Sequence, residues 1–404
     1  MRVNSSRNNI YNVKNQNPPS FKSGKTYLIT DFDGTLKPDI KRNNTFFQGF
    51  KYFSAIRKFQ DALSGKLKII ITTGRSQEGC NEIKDEMDYV NSHITDTMQK
   101  YLKINLMNSV NMTYNLKKNL YPYISSIITD NGEEKYKIVE DGIDYHLEYS
   151  QKYDKKKRNF LKQKYQIDLN EIGNSIKQKI NQFPVLSQKI KYSQHFPSNF
   201  IINLDDSISS NLSDRLTDSL KKELIRKNVS FNISQNRFNN SKLVKFKRNG
   251  QKFSKDLYPL MKIEKAKQNN DLVIVAGNDV NDIEMLNIFS YVSLPKNVKI
   301  PSNYEEAQLL LTNHPEKIEE IAKLPLRIIV VGDLKQKLKE KHKSLMEFFE
   351  INFPEQYIFT PETITHDNHN YLKAIKSSIL SYAKENPKFA NEFSDKEINA
   401  LLEE

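Results

Sequence analysis

Short apolar runs rich in β-branched residues recur along the chain and stop abruptly at small or acidic residues. They are TYLIT before Asp31, LKIIITTG ending at Gly74, and DLVIVAG ending at Gly277. Their hydrophobicity is continuous rather than alternating, which implies burial on both faces, as in parallel strands covered by helices. Each run precedes a helix-like segment: FFQGFKYFSAIRKFQDAL, SQEGCNEIKDEMDYV and DIEMLNIF. Repeated strand-then-helix order predicts an α/β fold with a doubly wound parallel sheet, whose ligands sit at the carboxyl ends of its strands.

Between the second and third runs the texture changes. The stretch YISSIITDNGEEKYKIVEDGIDYHLEY reads as a strand, a turn at Asn131 and Gly132, and hairpin-like segments. A Lys-rich helical stretch follows over 151–182, then SNFIINLD as a strand, SDRLTDSLKKELIRKN as a helix and VSFNIS as a strand. This mixture predicts an inserted α+β cap. The expected division is a mobile, Asn-rich N-terminal tail (1–24), a core domain in two parts (25–134 and 241–325) and a cap (135–240). A C-terminal extension (326–404) holds one strand-like run, LRIIVVGD, and Lys- and Glu-rich helical sequence without an assigned role.

Composition narrows the class. The 404 residues are 37% hydrophobic and 10% aromatic, enough for folded cores and unlike a disordered chain. With 62 Lys and Arg against 49 Asp and Glu the net charge is +13. These basic residues are spread along the whole length, so most read as solvated surface, and nucleic acid is not the expected partner. The single cysteine, Cys80, excludes a disulfide framework and fits a reducing compartment. No apolar run approaches the ~18 residues of a membrane span, and no secretory h-region opens the chain, so a soluble, cytoplasmic protein is expected. Oligomeric state is not legible.

Two aspartates, Asp31 and Asp33, close the first run in DFDGTL. Further on come TTGR, a lysine in KFSKDL, and GNDVNDIEML. In order and spacing these four motifs resemble those of the haloacid-dehalogenase-like phosphatases. The members with a large α/β cap between the second and third motifs, among them the Cof-type sugar phosphatases and the sucrose- and trehalose-phosphate phosphatases, are the most similar. TDNGEE resembles the segment that opens the family's cap. The resemblance covers roughly residues 25–325.

It implies a phosphomonoester hydrolase with a role for each motif. Phosphoryl transfer needs an in-line nucleophile, a proton donor for the leaving oxygen and positive charge around the equatorial oxygens. By resemblance Asp31 is the nucleophile, and Asp33 is the general acid and later the base. Asp33 is able to approach the leaving group if the chain leaves the strand after Asp31. Gly34 permits the tight turn. Thr73 is the implied phosphate-binding hydroxyl, with Thr72 its rival, and Gly74 lies beside it. Arg75 either adds charge to the site or pairs with a surface carboxylate. Lys255, with Lys252 as the competing choice, would offset repulsion among aspartates and phosphate. Like charges ~4 Å apart cost about 4 kcal/mol at an effective dielectric of 20.

The implied cofactor is magnesium (Mg2+), a hard cation that takes oxygen ligands. Its implied ligands are Asp31, Asp33, Asp282 and either Asn278 or Asp279. The family has an acid immediately after the first glycine of this motif, where this chain has Asn278. A neutral ligand there would weaken metal binding. Asn281 and Asp282 match the rest of the pattern, with Asp282 orienting ligands or Lys255.

The expected substrate is a sugar phosphate or a similar small phosphorylated metabolite. A phosphoprotein or phosphoinositide phosphatase, and a catalytically weakened binding protein, are the alternatives. His366, Asp367 and His369 in THDNHN, and the basic and aromatic stretch 155–166, read as solvated surface rather than metal or nucleic-acid sites.

Overall fold

The computed structural model describes residues 24–32, 34–36, 55–73, 124–129, 134–141, 144–195, 199–235, 241–295, 297–361 and 370–403. The three apolar runs are strands β1 (Thr26–Thr30), β2 (Leu67–Thr72) and β11 (Leu272–Gly277). They are joined in one sheet by β3 (Ile124–Thr129), β4 (Glu134–Asp141), β5 (Asp144–Tyr149), β12 (Leu326–Val331) and β13 (Tyr357–Thr360), in the order β13-β12-β11-β1-β2-β3-β4-β5. All neighbours from β13 to β3 are parallel, and β4 and β5 add an antiparallel hairpin at the edge. The expected parallel α/β sheet is therefore present.

Strand alternation sorts the side chains onto two faces. Ile29, Ile70, Val273, Val275 and Ile328 pack on one face with Tyr258, Phe289 and Phe349. Leu28, Ile69, Ile71, Ile274 and Ile329 pack on the other with Tyr371, Ile375 and Ile379. A second sheet, antiparallel, contains β6 (Ile190–His195), β7 (Asn199–Leu204), β8 (Phe231–Gln235), β9 (Ser241–Arg248) and β10 (Gln251–Lys252). Its core holds Phe200, Ile202, Val244 and Phe246 against Ile172 and Ile176 of the Leu169–Asn181 helix and Leu216 and Leu220 of the Ser210–Arg226 helix.

Strand pairing moves three of the expected boundaries. β4 and β5 hydrogen-bond onto β3, so the change from one sheet to the other falls after Tyr149, not at residue 135. β9 pairs with β7 and β8, so the second sheet runs past residue 240. Residues 326–404 are no appendage: they supply β12 and β13, and the Asn370–Glu385 helix lays Tyr371, Leu372, Ile375 and Ile379 on the sheet. Composition alone does not reveal such pairings, because β-propensity says where a strand forms and not which edge it joins.

Other expectations are met differently or lie elsewhere. DIEMLNIF forms no continuous helix, but short turns over Val280–Asp282, Ile283–Leu286 and Ile288–Tyr291. The Lys-rich stretch forms the Gln151–Tyr165 helix, which buries Tyr153, Lys157 and Leu161 and so is not wholly a solvated face. The tail up to residue 23, the 76–90 helix candidate with Cys80, the Asn131–Gly132 turn, and His366, Asp367 and His369 lie outside the described residues. Among the described residues no helix is long and apolar enough to cross a membrane.

Candidate active site

The carboxyl end of β1 lies between β11 and β2. The ladder to β11 continues one residue beyond the strand, where Asp31 N–H donates to the Ala276 carbonyl at 2.9 Å. The chain then turns sharply: Leu36 N–H reaches back to the Asp31 carbonyl at 3.3 Å, and Gly34 adopts φ of +72°. Only glycine takes that conformation without strain. Space demands it as well, since a Cβ on Gly34 would stand 2.1 Å from Asn278 Nδ2. The Thr35 hydroxyl donates to Asn278 Oδ1 at 3.0 Å, tying the first motif to the fourth.

One ammonium joins the two ends. Lys255 Nζ donates to Asp31 Oδ1 at 2.7 Å and to Asp282 Oδ1 at 2.6 Å. Lys255 is 4% exposed and Asp282 is fully buried. Burial works to lower the lysine, but the charges of Asp282 and Asp31 outweigh it and hold Lys255 above its ordinary value. It is a fixed positive charge between two carboxylates.

Asp282 has both oxygens engaged. Its Oδ2 accepts the Asn278 and Asp279 N–H groups at 3.0 and 3.1 Å, while Oδ1 holds Lys255. A carboxylate held by three donors orients both the loop and the lysine. Its close approach also accounts for Gly277, where a Cβ would lie 2.7 Å from Asp282 Oδ2. Asp279 turns its carboxylate to the Val280 N–H at 2.7 Å as the cap of the next turn. Asn278 is thus the side chain of this motif that faces the Asp31–Thr35 loop, and Asn281 is exposed.

A second layer fixes Lys255 and Asp31. Asp256, the neighbour of Lys255, is fully buried and receives the Arg248 guanidinium. Arg248 also donates to the Ser290 carbonyl at 2.6 Å and to the Tyr165 hydroxyl at 3.2 Å. The end of β9 is thereby bolted to the loop that carries the lysine. Behind β1, Tyr371 from the Asn370–Glu385 helix donates to the Thr30 hydroxyl at 2.9 Å, which donates to the Asp31 carbonyl at 2.8 Å.

At the end of β2 the two threonines separate. Thr73 is buried and its N–H donates to the Ile128 carbonyl at 2.8 Å. The register pairing Thr30 with Ile71, carried one step further, sets Thr72 beside Asp31 on the face of Ile29 and Ile70. The Thr72 hydroxyl is buried there without a hydrogen-bond partner among the described residues. Alternation from Ile70 was the sequence signal for this. Asp33, Gly74 and Arg75 lie outside the described residues, as does the side chain of Lys252.

Among the described residues no three His, Cys, Asp or Glu side chains gather as a metal cluster. Asp31 and Asn278 nonetheless bring oxygen donors to one place, a set that fits a hard cation such as magnesium.

No protein-family model matches this sequence, and no curated protein matches it. Solved structures do. The haloacid dehalogenase-like hydrolase yhjK from Bacillus subtilis is 15% identical over 82% of this chain and 97% of its own, with a TM-score of 0.33. Aspergillus fumigatus trehalose-6-phosphate phosphatase is 12% identical over 68% and 81%, at 0.31. Plasmodium falciparum IMP-nucleotidase is 14% identical over 72% and 69%, at 0.30. Haloacid-dehalogenase-like hydrolases are thus among the proteins to which this chain is similar.

Proposed function

We propose that this chain is a haloacid-dehalogenase-like phosphatase, a magnesium-dependent phosphomonoester hydrolase acting on a small phosphorylated metabolite such as a sugar phosphate. The observation that carries the reading is the buried Lys255 ammonium shared by Asp31, at the end of β1, and Asp282, after β11. Carboxyl ends of parallel strands are where such sheets bind ligands.

Lys255 holds the Asp31 carboxylate through Oδ1, and a carboxylate oxygen of Asp31 attacks phosphorus. The new oxygen–phosphorus bond forms as the bond to the substrate's alkoxide breaks, and Asp33 gives the alkoxide its proton. Asp33 next takes a proton from water, whose oxygen attacks phosphorus and breaks the bond to Asp31, releasing inorganic phosphate and restoring both aspartates. Lys255 keeps one positive charge against the phosphoryl oxygens throughout. Asp31, Asp33 and Asn278 would hold magnesium, with Asp279 too far committed to its cap to be the first choice. When bound, the cation neutralises charge on the transferring group. The second sheet and its helices are the proposed cap that closes over the substrate and excludes water.

Magnesium-dependent hydrolysis of p-nitrophenyl phosphate tests this, together with borohydride reduction of the acid-quenched enzyme. The reduction converts an aspartyl phosphate into homoserine at its own position. Homoserine at residue 31 is expected; its absence in an active enzyme would overturn the covalent route. Asn278 favours one other reading, a weakened enzyme that binds a phosphorylated ligand. If the wild type is inert and Asn278→Asp gains activity, that reading holds.

A further inference from the structure

On the Ile29–Ile70 face, beyond the Asp31 centre, two lysines converge on one tyrosine. Lys135 of β4 donates to the Tyr258 hydroxyl at 3.1 Å and its Nζ stands 5.0 Å from the Tyr258 ring centroid. Lys262, one turn later on the Leu257–Asn269 helix, places its Nζ 5.6 Å from the same centroid and 4.0 Å from that of Tyr27. Tyr258 itself is 3% exposed, so the lysines and not the ring are what a ligand at this place would meet.

Three partly buried lysines elsewhere have carboxylates: Lys66 has Glu397, Lys164 has Glu264, and Lys317 has Glu320. Lys135 and Lys262 form no ion pair among the described residues. Among the described residues the charges around them are mainly of the same sign, from Lys137, Lys156 and Lys265, with Asp271 opposing them at Lys262. Burial, and then these neighbouring ammoniums, push both lysines down to about 8. Two poorly solvated like charges gathered around one ring are unfavourable until an anion joins them.

Register places the pair relative to the catalytic end. Thr72 pairs with Ile128 and Ile128 with Lys135, so Asp31, Thr72, Ile128 and Lys135 form a row across four adjacent strands. At roughly 4.8 Å per strand that row spans about 14 Å. Tyr258 lies in the first turn of the Leu257–Asn269 helix, which starts two residues after Lys255.

We propose that Lys135 and Lys262, gathered around the Tyr258 ring, form a second anion-binding site that takes a phosphoryl dianion. Two sources share this chemistry. One is a second phosphate on the substrate itself, which rests on the hydrolase reading above. The other is a separate phosphorylated metabolite that binds as an effector, which does not.

Lysine acylation followed by mass spectrometry on the full-length protein, near pH 7, reads the site with inorganic phosphate as the probe. An amine near 8 has a free-base fraction over a hundredfold greater than one near 10.5, so Lys135 and Lys262 are labelled early. Phosphate is expected to slow both by at least about threefold relative to sodium chloride of equal ionic strength, because a bound dianion restores the charged form. Lys135→Gln is expected to abolish the protection of Lys262, and Asp31→Asn to retain it. Equal labelling in phosphate and chloride overturns the proposal without any variant having to fold. Protection that vanishes in Asp31→Asn overturns it too, since the anion would then belong to the catalytic centre.

A kinetic arm separates the sources. If the substrate supplies the group, a sugar bisphosphate exceeds its monophosphate in kcat/KM by tenfold or more, and Lys262→Gln removes that preference while sparing the monophosphate. If an effector supplies it, the two sugars are equal. A chain inert toward every phosphate ester refutes the hydrolase reading and leaves the footprint standing.

Discussion

Replacing Lys255 with methionine keeps the length of the side chain and removes the charge that Asp31 and Asp282 share. At an effective dielectric of about 20, an ammonium 2.7 Å from one carboxylate oxygen and 2.6 Å from another gains roughly 6 kcal/mol from each before desolvation is subtracted. Desolvating three groups offsets most of that gain. The variant, however, recovers little of the desolvation cost, because Asp282 stays buried in the loop and Asp31 nearly so. Breaking a buried pair in this way costs about 3–5 kcal/mol. Urea unfolding of the full chain, compared at neutral and acidic pH, measures it.

The pH dependence follows from the sign of each shift. Lys255 lies above its ordinary value, so its contribution is fully present below about 10.5 and is lost only as pH rises through its folded value. Wild-type stability therefore gains nothing from this lysine's titration between pH 4 and 9. In the variant the two carboxylates that shared the ammonium are left without it, and acid removes the repulsion between them. The deficit should thus shrink as pH falls toward 4. A deficit below about 1 kcal/mol, the value of an exposed pair, or one that is flat with pH, would refute the reasoning.

Gly277→Ala forces a Cβ to within 2.7 Å of Asp282 Oδ2, and overpacking of this kind should lower stability by about 1–3 kcal/mol, read by calorimetry. Tyr371→Phe removes only the hydrogen bond to Thr30 and should cost about 1 kcal/mol, seen as a lower denaturant midpoint with an unchanged slope. Asp256→Asn leaves the Arg248 guanidinium buried without its carboxylate and should cost about 3–5 kcal/mol, part of which Arg248→Met in the same chain restores. Asn278→Asp adds a charged ligand to the proposed metal site and should lower the magnesium concentration needed to raise the melting temperature.

The strands that position the site were legible because burial on both faces leaves a continuous apolar run, and Asp31 and Gly277 each stand at the end of one. What lies across the sheet was not. Tyr371 meets Thr30 over a separation of 341 residues, and nothing local in NYLKAIKSSIL distinguishes a tyrosine that bolts β1 from one that merely fills the face. Arg248 was hidden by number: among 62 basic residues, burial beside Asp256 is a property of the fold alone. Thr72 was legible in principle, since Ile70 and Thr72 share a face and Ile29 and Asp31 share the same one.

The fourth motif shows how position and charge are divided. Asp282 accepts two backbone N–H groups and the lysine, so its negative charge is consumed in holding the Asn278–Asp279 turn and Lys255 in place. Asp279 spends its carboxylate on the Val280 cap. The side chain that remains turned toward Asp31 is a neutral amide, already accepting from Thr35. A cation entering between Asp31 and Asn278 would therefore meet less negative charge than the two acidic residues in GNDVND suggest. With Lys255 adding a positive charge to the same carboxylate, in the proposed reaction the substrate's phosphate would have to supply much of what binds the metal. Magnesium affinity should accordingly rise when a phosphoryl analogue such as tungstate is present, and titrating the metal calorimetrically with and without it decides the point. Equal affinity in both titrations would mean that residues other than these three set the charge at the site.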